Sequence, residues 1–237
     1  MKILFISLGC DKNLADSEEM LGLLTGNGHE IVDSEEEADA IVINTCCFIH
    51  DAKEESVNTI LEMAEYKKTG TCKILIVTGC MAQRYKEEIT EEIPEVDAVL
   101  GTTSYGDIVK ALNEAEAGHV FREFKDINAL PEDSGRRVIT TGGHFGYLKI
   151  AEGCDKHCTY CIIPSLRGKF RSVPEERLLK QAEYMASQGV RELILVAQET
   201  TVYGTDLYGK KTLHILLKKL CQIKGIRWIR VLYCYPE

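Results

Sequence analysis

The chain has 237 residues, of which 45% are apolar, and its formal net charge is −9. That length allows one large domain or two of ordinary size, and no apolar run approaches the roughly 20 residues of a membrane span. No hydrophobic export signal opens the sequence, so we expect a soluble, cytosolic protein. Its ten cysteines suggest metal ligands or catalytic thiols more than disulfides.

Charge is distributed unevenly along the chain. Residues 1–125 carry a net charge of −14, residues 126–145 carry −1, and residues 146–237 carry +6. Residues 126–145 also lose the hydrophobic periodicity and include the turn-rich run PEDSG at 131–135. We therefore predict an N-terminal domain at 1–125, a linker at 126–145 and a second domain at 146–237. The acidic N-terminal domain would repel nucleic-acid phosphates and favour a basic protein partner.

The N-terminal domain alternates short apolar runs with longer amphipathic segments. The runs predict buried strands at about residues 2–7, 40–44, 73–78 and 96–100. The segments between them predict helices at about 16–25, 51–68, 82–92 and 106–117, the first of them capped and charged by the acidic run 16–19. Strands alternating with helices of this length indicate an α/β fold, with a parallel sheet covered by helices on both faces.

Three cysteines follow these predicted strands. Cys10, Cys46 and Cys80 each lie just past a strand's carboxyl end, and successive ones are 36 and 34 residues apart. In a parallel α/β sheet, ligands bind beyond the carboxyl ends of the strands, so we expect the three thiols to converge. The spacing alone leaves open a three-cysteine metal cluster or three ordinary buried cysteines. Cys72 precedes its strand and is predicted to be structural.

A second cysteine group opens the C-terminal domain. A strand-like run at 147–151 precedes Cys154, Cys158 and Cys161, which have the spacing Cys-x3-Cys-x2-Cys. A structural zinc site is closed by four protein ligands, whereas an iron–sulfur cube held by three cysteines leaves one iron free to bind a substrate or cofactor. Zinc with His157 or a distant cysteine as fourth ligand is the alternative, which we disfavour because zinc sites usually show paired short spacings.

The rest of the C-terminal domain continues the alternation of strands and helices. A basic loop at 165–172 is followed by a predicted helix at 174–187, with Pro174 at its first position, and by a strand at 192–197. A helix at 212–223 and a strand at 228–233 come next. The strand at 192–197 delivers the polar residues 198–201 to the same carboxyl-end face as the three cysteines.

The Cys-x3-Cys-x2-Cys loop is the signature of the radical S-adenosylmethionine (SAM) enzymes, and the sequence resembles them. The resemblance implies a 4Fe–4S cluster on Cys154, Cys158 and Cys161 whose free iron binds SAM. It also implies that Tyr160, directly before the third cysteine, packs near the adenine of SAM. By the same analogy, Gln198 contacts the ribose or methionine group of SAM.

Three N-terminal runs are similar to the methylthiotransferases within that superfamily: SLGCDKN at 7–13, NTC at 44–46 followed by DAKEES at 51–56, and TGCMAQR at 78–84. In that family these cysteines hold an auxiliary iron–sulfur cluster, so the resemblance implies a second 4Fe–4S cluster on Cys10, Cys46 and Cys80. Cys47 is a possible rival ligand, which we interpret as a neighbour. The implied architecture is an N-terminal methylthiotransferase domain followed by the first part of a radical SAM (β/α) partial barrel.

The runs LGCDKN at 8–13, AQETTVYG at 197–204 and WIRVLY at 228–233 are most similar to the branch that modifies small-subunit ribosomal protein S-twelve. The implied reaction is β-methylthiolation of an aspartate. An electron from the SAM cluster cleaves SAM to a radical that abstracts a hydrogen from the β-carbon, and the auxiliary cluster carries the sulfur, methylated by a second SAM. The resemblance also implies an electron donor such as flavodoxin or ferredoxin as a partner. It implies no association with a membrane. We expect no protein side chain to act as a catalytic acid or base.

Two alternatives remain open. A transfer RNA adenosine methylthiotransferase is disfavoured by the run DKN at 11–13 and by the acidic N-terminal domain. A non-catalytic metal-binding module is favoured only by the short C-terminal domain. The family's radical domain is a larger partial barrel followed by a TRAM domain, and residues 146–237 have room for only its first part. We therefore expect the chain to be C-terminally truncated, to expose strand edges and to turn over poorly by itself.

Overall fold

The computed structural model describes residues 1–132 and 135–235. It divides into two compact units, Met1–Arg137 and Val138–Glu237, and the boundary falls within the predicted linker at 126–145. Each unit is built on a parallel sheet, so the predicted α/β class is confirmed. Residues 133 and 134 of the predicted PEDSG turn lie outside the described residues. No helix in the described ranges has the length and apolar character needed to cross a membrane.

The first unit contains a six-stranded sheet. Its strands are β1 (Lys2–Ser7), β2 (Glu30–Val32), β3 (Ala40–Thr45), β4 (Ile74–Gly79), β5 (Ala98–Leu100) and β6 (Phe121–Glu123). All neighbours are parallel, in the order β2-β1-β3-β4-β5-β6. The helices between them are α1 (Asp11–Gly26), α2 (His50–Thr69), α3 (Cys80–Glu92) and α4 (Ile108–Glu116).

The two central strands, β3 and β4, define the core of this unit. Every residue of both strands is buried. A strand covered on both faces has a continuous apolar sequence rather than an alternating one, which the runs IVI at 41–43 and LIV at 75–77 provide. On one face, Val42 and Ile76 belong to a buried cluster with Met20 and Leu24 of α1 and Leu112 of α4.

Helix α1 begins earlier than predicted, at Asp11 rather than near residue 16. Cys10 is the extended residue before the helix, and Asp11 supplies the acidic charge in its first turn. The acidic run 16–19, which was predicted to cap the helix, lies inside it and is buried. The buried charge of Glu18 is offset by Arg137, whose Nη2 lies 2.6 Å from Glu18 Oε2.

Two strands of this sheet were not predicted. Strands β2 and β6 lie at opposite edges, have three residues each, and are only partly buried, so they are too short to produce a hydrophobic pattern. Helix α3 also begins earlier than predicted, at Cys80, and it contains a break at Lys86, whose φ of 24° and ψ of −101° are not helical.

Up to residue 235, the second unit contains five strands and four α-helices. The strands are β7 (Phe145–Lys149), β8 (Ala151–Glu152), β9 (Arg171–Ser172), β10 (Glu192–Val196) and β11 (Trp228–Val231). Three of them form a parallel sheet in the order β11-β10-β7, and β8 pairs with β9 antiparallel. The helices are α5 (Ile163–Arg167), α6 (Glu175–Ser187), α7 (Thr205–Tyr208) and α8 (Leu213–Leu220).

The pair β8 and β9 brings together the two ends of the loop at residues 153–170. The strand predicted at 147–151 is divided, because β7 ends at Lys149 and β8 begins at Ala151. Pro174 precedes α6 as its N-cap instead of occupying the first helical position. Within the described residues of this sheet, β7 and β11 each pair with β10 alone, and Trp228 on β11 is 70% exposed.

Candidate functional site

The first unit brings Cys10, Cys46 and Cys80 to one edge of its sheet. Strands β1, β3 and β4 are adjacent and parallel. Their carboxyl ends are level, because Asn44 of β3 pairs with Ser7 of β1 on one side and with Thr78 of β4 on the other. Cys10 lies between β1 and α1, Cys46 directly follows β3, and Cys80 is the first residue of α3. Cys46 and Cys80 are buried and Cys10 is exposed.

The backbone before Cys10 lies directly against Cys46. Gly9 has a φ of +90°, and a Cβ at this position would lie 2.6 Å from Cys46 Cβ and 2.9 Å from Cys46 Sγ. Glycine is therefore required here both by the left-handed backbone and by the lack of space for a side chain. The contact brings the loops that carry Cys10 and Cys46 together.

Side-chain hydrogen bonds fix the backbone around Cys46. The hydroxyl of Ser56 donates to Cys46 O at 2.8 Å and accepts from Cys46 N at 3.0 Å. The hydroxyl of Thr45 donates to Thr78 O on β4 at 2.5 Å. Asn13 Nδ2 donates to Thr45 O at 3.0 Å. The peptide groups on both sides of this cysteine are therefore held by α1 and α2, and the side chain of the residue before it is bonded to β4.

The first unit also contains Cys47 and Cys72, which are both buried. Cys47 is 2% exposed, and burial raises the pKa of its thiol to about 12, with nearby Cys80 and Cys46 adding to the rise and Arg84 opposing it. Cys47 is therefore a further thiol close to Cys46 and Cys80. Cys72 is buried before β4, and its Sγ lies 3.4 Å from Ile74 O.

The second unit carries Cys154, Cys158 and Cys161 on the loop between β8 and β9. Cys154 N donates to Gly168 O at 3.1 Å, which closes the base of the loop. Cys161 N donates to Cys158 O at 3.0 Å, and Cys158 N donates to Lys156 O at 2.6 Å, so the three cysteines follow a tight series of turns. Cys158 is exposed, and the other two are partly buried.

Cys154 lies near Lys156 and Glu199. Its Sγ accepts a hydrogen bond from Lys156 N at 3.4 Å. Burial raises the pKa of the Cys154 thiol, this hydrogen bond opposes the rise, and Cys161, Glu199 and Cys158 add to it. The side chain of Lys156 extends to the end of β10, where its Nζ lies 2.9 Å from Glu199 Oε2. This ion pair fastens the cysteine loop to the carboxyl end of the sheet.

A buried ion network lies at the start of the loop. Glu152 is 3% exposed and contacts the side chains of Lys149 and Arg167. Burial alone would raise the pKa of Glu152, but these two cations hold it at about 2. Sequence reasoning missed both this network and the pairing of Lys156 with Glu199, because each joins residues whose contact depends on the folded loop.

The residues predicted to bind SAM differ in their surroundings. Gln198 follows β10 at its carboxyl end, and its Oε1 is buried with no hydrogen-bond partner among the described residues. A buried acceptor without a partner is costly, so this atom fits a ligand that donates a hydrogen bond. Tyr160 is 86% exposed, and its ring is accessible for stacking.

The donor sets fit iron–sulfur clusters better than a single metal ion. In residues 1–132 and 135–235, no three His, Cys, Asp or Glu side chains are arranged to hold one ion. A cluster of several irons separates its cysteines more widely than one ion does, and thiolates are its usual ligands. Each unit offers three thiols as ligands for such a cluster, on one loop or just past the carboxyl ends of adjacent strands.

Two family models match the chain. Residues 2–101 match uncharacterized protein family UPF0004, and residues 148–236 match the radical SAM superfamily. The whole chain is 66% identical to ribosomal protein uS12 methylthiotransferase RimO of Lachnoclostridium phytofermentans and 52% identical to that of Clostridioides difficile. It covers 54% and 53% of those proteins, so the chain spans about half the length of the curated relatives it matches.

Solved structures with a similar fold include two radical SAM enzymes. One is the methyltransferase TsrM from Kitasatospora setae with cobalamin and a 4Fe-4S cluster bound, with a TM-score of 0.58 and 11% identity over 96% of this chain and 53% of that chain. The other is the cobalamin-dependent enzyme OxsB, with a TM-score of 0.53 and 15% identity over 96% of this chain and 38% of that chain. At these identities the likeness shows the fold alone.

Proposed function

We propose that this chain forms the part of a radical SAM methylthiotransferase that holds two iron–sulfur clusters and SAM, because residues 2–101 and 148–236 match UPF0004 and the radical SAM superfamily and the whole chain is 66% identical to a methylthiotransferase. The enzyme methylthiolates the β-carbon of an aspartate of ribosomal protein uS12, which is the small-subunit ribosomal protein S-twelve named above. The observation that carries the proposal is the pairing of two three-cysteine groups in one chain. One group lies at the ends of three adjacent parallel strands, and the other lies on a Cys-x3-Cys-x2-Cys loop.

Each group has its own role in the proposal. Cys154, Cys158 and Cys161 hold the cluster that binds SAM, and Cys10, Cys46 and Cys80 hold the auxiliary cluster. When bound, the clusters and SAM supply the one-electron chemistry and the sulfur and methyl groups that are transferred. The protein positions and shields them. Cys47 is a neighbour of the auxiliary cluster and not one of its ligands.

Side chains of the second unit orient SAM in this proposal. Gln198 Oε1 accepts a hydrogen bond from the ribose or methionine group of SAM, which satisfies an acceptor that has no partner among the described residues. The exposed ring of Tyr160 packs near the adenine. Lys156 and Glu199 hold the cysteine loop against the end of β10, so that the cluster and Gln198 face the same bound molecule.

The partners follow from the same proposal. Because Cys158 is exposed, a cluster that it held would be accessible to an electron donor such as a flavodoxin or ferredoxin. The net charge of −14 over residues 1–125 favours a basic protein as substrate, and ribosomal proteins are of that kind. Modification of a ribosomal protein places the enzyme in the cytoplasm.

The test is mass spectrometry on two substrates in parallel. A version of the protein as long as its curated relatives is reconstituted anaerobically and incubated with SAM, a reductant, protein uS12 and transfer RNA. We expect one methylthio group to be added to an aspartate of uS12 and none to adenosine. A mass gain on adenosine alone would assign the enzyme to the transfer RNA branch instead.

A further inference from the structure

One buried side chain joins the loops of Cys10 and Cys46. Asn13 lies near the start of α1 and is 1% exposed. Its Nδ2 donates to Leu8 O at 2.9 Å and to Thr45 O at 3.0 Å. Leu8 lies two residues before Cys10, and Thr45 lies directly before Cys46. A single amide group therefore holds the backbone of both cysteine loops.

Asn13 acts where the backbone ladder between β1 and β3 ends. The last paired residues are Ser7 and Asn44, and Leu8 N donates to Asn44 O at 2.9 Å. The next carbonyl groups, those of Leu8 and Thr45, both accept from the side chain of Asn13. A carboxamide has two N–H hydrogens, so it can satisfy two carbonyl groups at once. The side chain thus continues the pairing of the two strands beyond their last backbone hydrogen bond.

Asn13 is itself held in place by a buried network. Its backbone oxygen accepts from Asn44 Nδ2 and from the hydroxyl of Ser17, each at 3.0 Å. Asn44 Nδ2 also donates to Ser17 Oγ at 2.9 Å, and the hydroxyls of Ser17 and Ser7 are 2.7 Å apart. Buried networks of this kind favour one arrangement of the chain. The amide of Asn13 therefore has a defined position relative to both strands.

We propose that Asn13 is a positioning residue that sets the separation of Cys10 and Cys46 for the auxiliary cluster. The proposal rests on the proposed function, because it assumes that these cysteines hold that cluster. Ligands on the loops after two different strands bind one cluster only when those loops are held at the matching distance. The two hydrogen bonds of Asn13 supply this restraint beside the exposed Cys10. Asn13 acts through the two cysteine loops, by holding their backbone.

The test isolates the auxiliary cluster in the whole chain. Cys154, Cys158 and Cys161 are replaced by alanine, so that the N-terminal site alone gives a cluster signal. In this parent, Asn13→Asp keeps the side-chain shape, removes both donors and places a carboxylate against two carbonyl oxygens. The matched control is Asn27→Asp, because Asn27 Nδ2 also donates to a backbone carbonyl at 2.8 Å, but at an exposed helix end.

Three properties are measured after anaerobic reconstitution: bound iron, the electron paramagnetic resonance spectrum of the reduced cluster, and the rate at which a chelator removes iron. We expect Asn13→Asp to bind less iron, to change the spectrum and to lose iron about tenfold faster, which is the scale of one or two hydrogen bonds. Asn27→Asp should match the parent. An Asn13→Asp protein with the parent's iron content, spectrum and rate would overturn the proposal.

Circular dichroism of the metal-free proteins separates positioning from folding. Asn13→Ala, which removes the donors without adding charge, is the second variant, and we expect it to fold and to show the same cluster defects. Loss of the metal-free fold in both variants would contradict a positioning role. If the parent itself binds no iron and sulfide, the proposed function fails first, and this inference fails with it.

Discussion

At the scale of single residues, the cysteine loops depend on backbone that glycine alone can supply. Gly79, directly before Cys80, has a φ of +93°. A Cβ there would lie 2.3 Å from Asn44 Oδ1 and 2.5 Å from Thr45 O. The carboxyl end of β4 therefore approaches the end of β3 more closely than any side chain would allow, which keeps Cys80 next to the loop of Cys46.

Gly79→Ala should destabilise the first unit. We expect the free energy of unfolding to fall by about 3 kcal/mol, of which about 1 kcal/mol is backbone strain and about 2 kcal/mol is the overlap with β3. Urea denaturation of the metal-free protein measures the loss. The control is Gly118→Ala, because Gly118 also has a positive φ, of +80°, but a Cβ there meets nothing within 4 Å. Equal losses in the two variants would show that the contact with β3 is unimportant.

Residue-scale features could be predicted only in part. The sequence indicated that Cys10, Cys46 and Cys80 follow strands, and the structure has them there; their role as ligands stays a prediction. The hydrogen bonds of Asn13 and Ser56 to these loops could not be predicted, because each joins residues brought together by strand register. No local pattern encodes that register.

At the scale of elements, long apolar runs predicted strands well and acidic runs predicted helix ends poorly. Strands β3 and β4 were found because a doubly covered strand has a continuous apolar sequence. The start of α1 was misplaced because the acidic run 16–19 has the composition of a helix start but lies buried within the helix. The charge of Glu18 is compatible with burial only because Arg137, far along the chain, reaches it.

Replacing Arg137 tests that explanation. Arg137→Ala removes a guanidinium whose Nε and Nη2 lie 2.8 and 2.6 Å from Glu18 Oε2, both side chains being almost fully buried. We expect a loss of about 3 kcal/mol in the free energy of unfolding, because Glu18 keeps its burial and loses this countercharge. Lys125→Ala is the control, since Lys125 pairs with Asp107 at 2.5 Å in a more exposed setting, and it should cost much less. Similar midpoints of urea denaturation for the two variants would contradict this account of α1.

At the scale of the whole molecule, the charge asymmetry suggested two domains, and the structure has two compact units. Within the predicted linker at 126–145, composition could not give the exact position of the boundary. It follows from the packing of Arg136 and Arg137 on α1, where the backbone of Arg136 lies so close to Gly22 that a Cβ there would meet it at 2.7 Å. These residues therefore belong with the first unit, although the hydrophobic pattern ends well before them.

We propose that each unit holds its own iron–sulfur cluster, and counting iron and sulfide in three chains tests this directly. After anaerobic reconstitution, the unaltered chain should bind about eight of each, and Cys46→Ala and Cys158→Ala should bind about four of each. Cys158→Ala should lose SAM cleavage, which Cys46→Ala should retain. One zinc without sulfide in the unaltered chain, or the loss of both clusters on either substitution, would contradict the account.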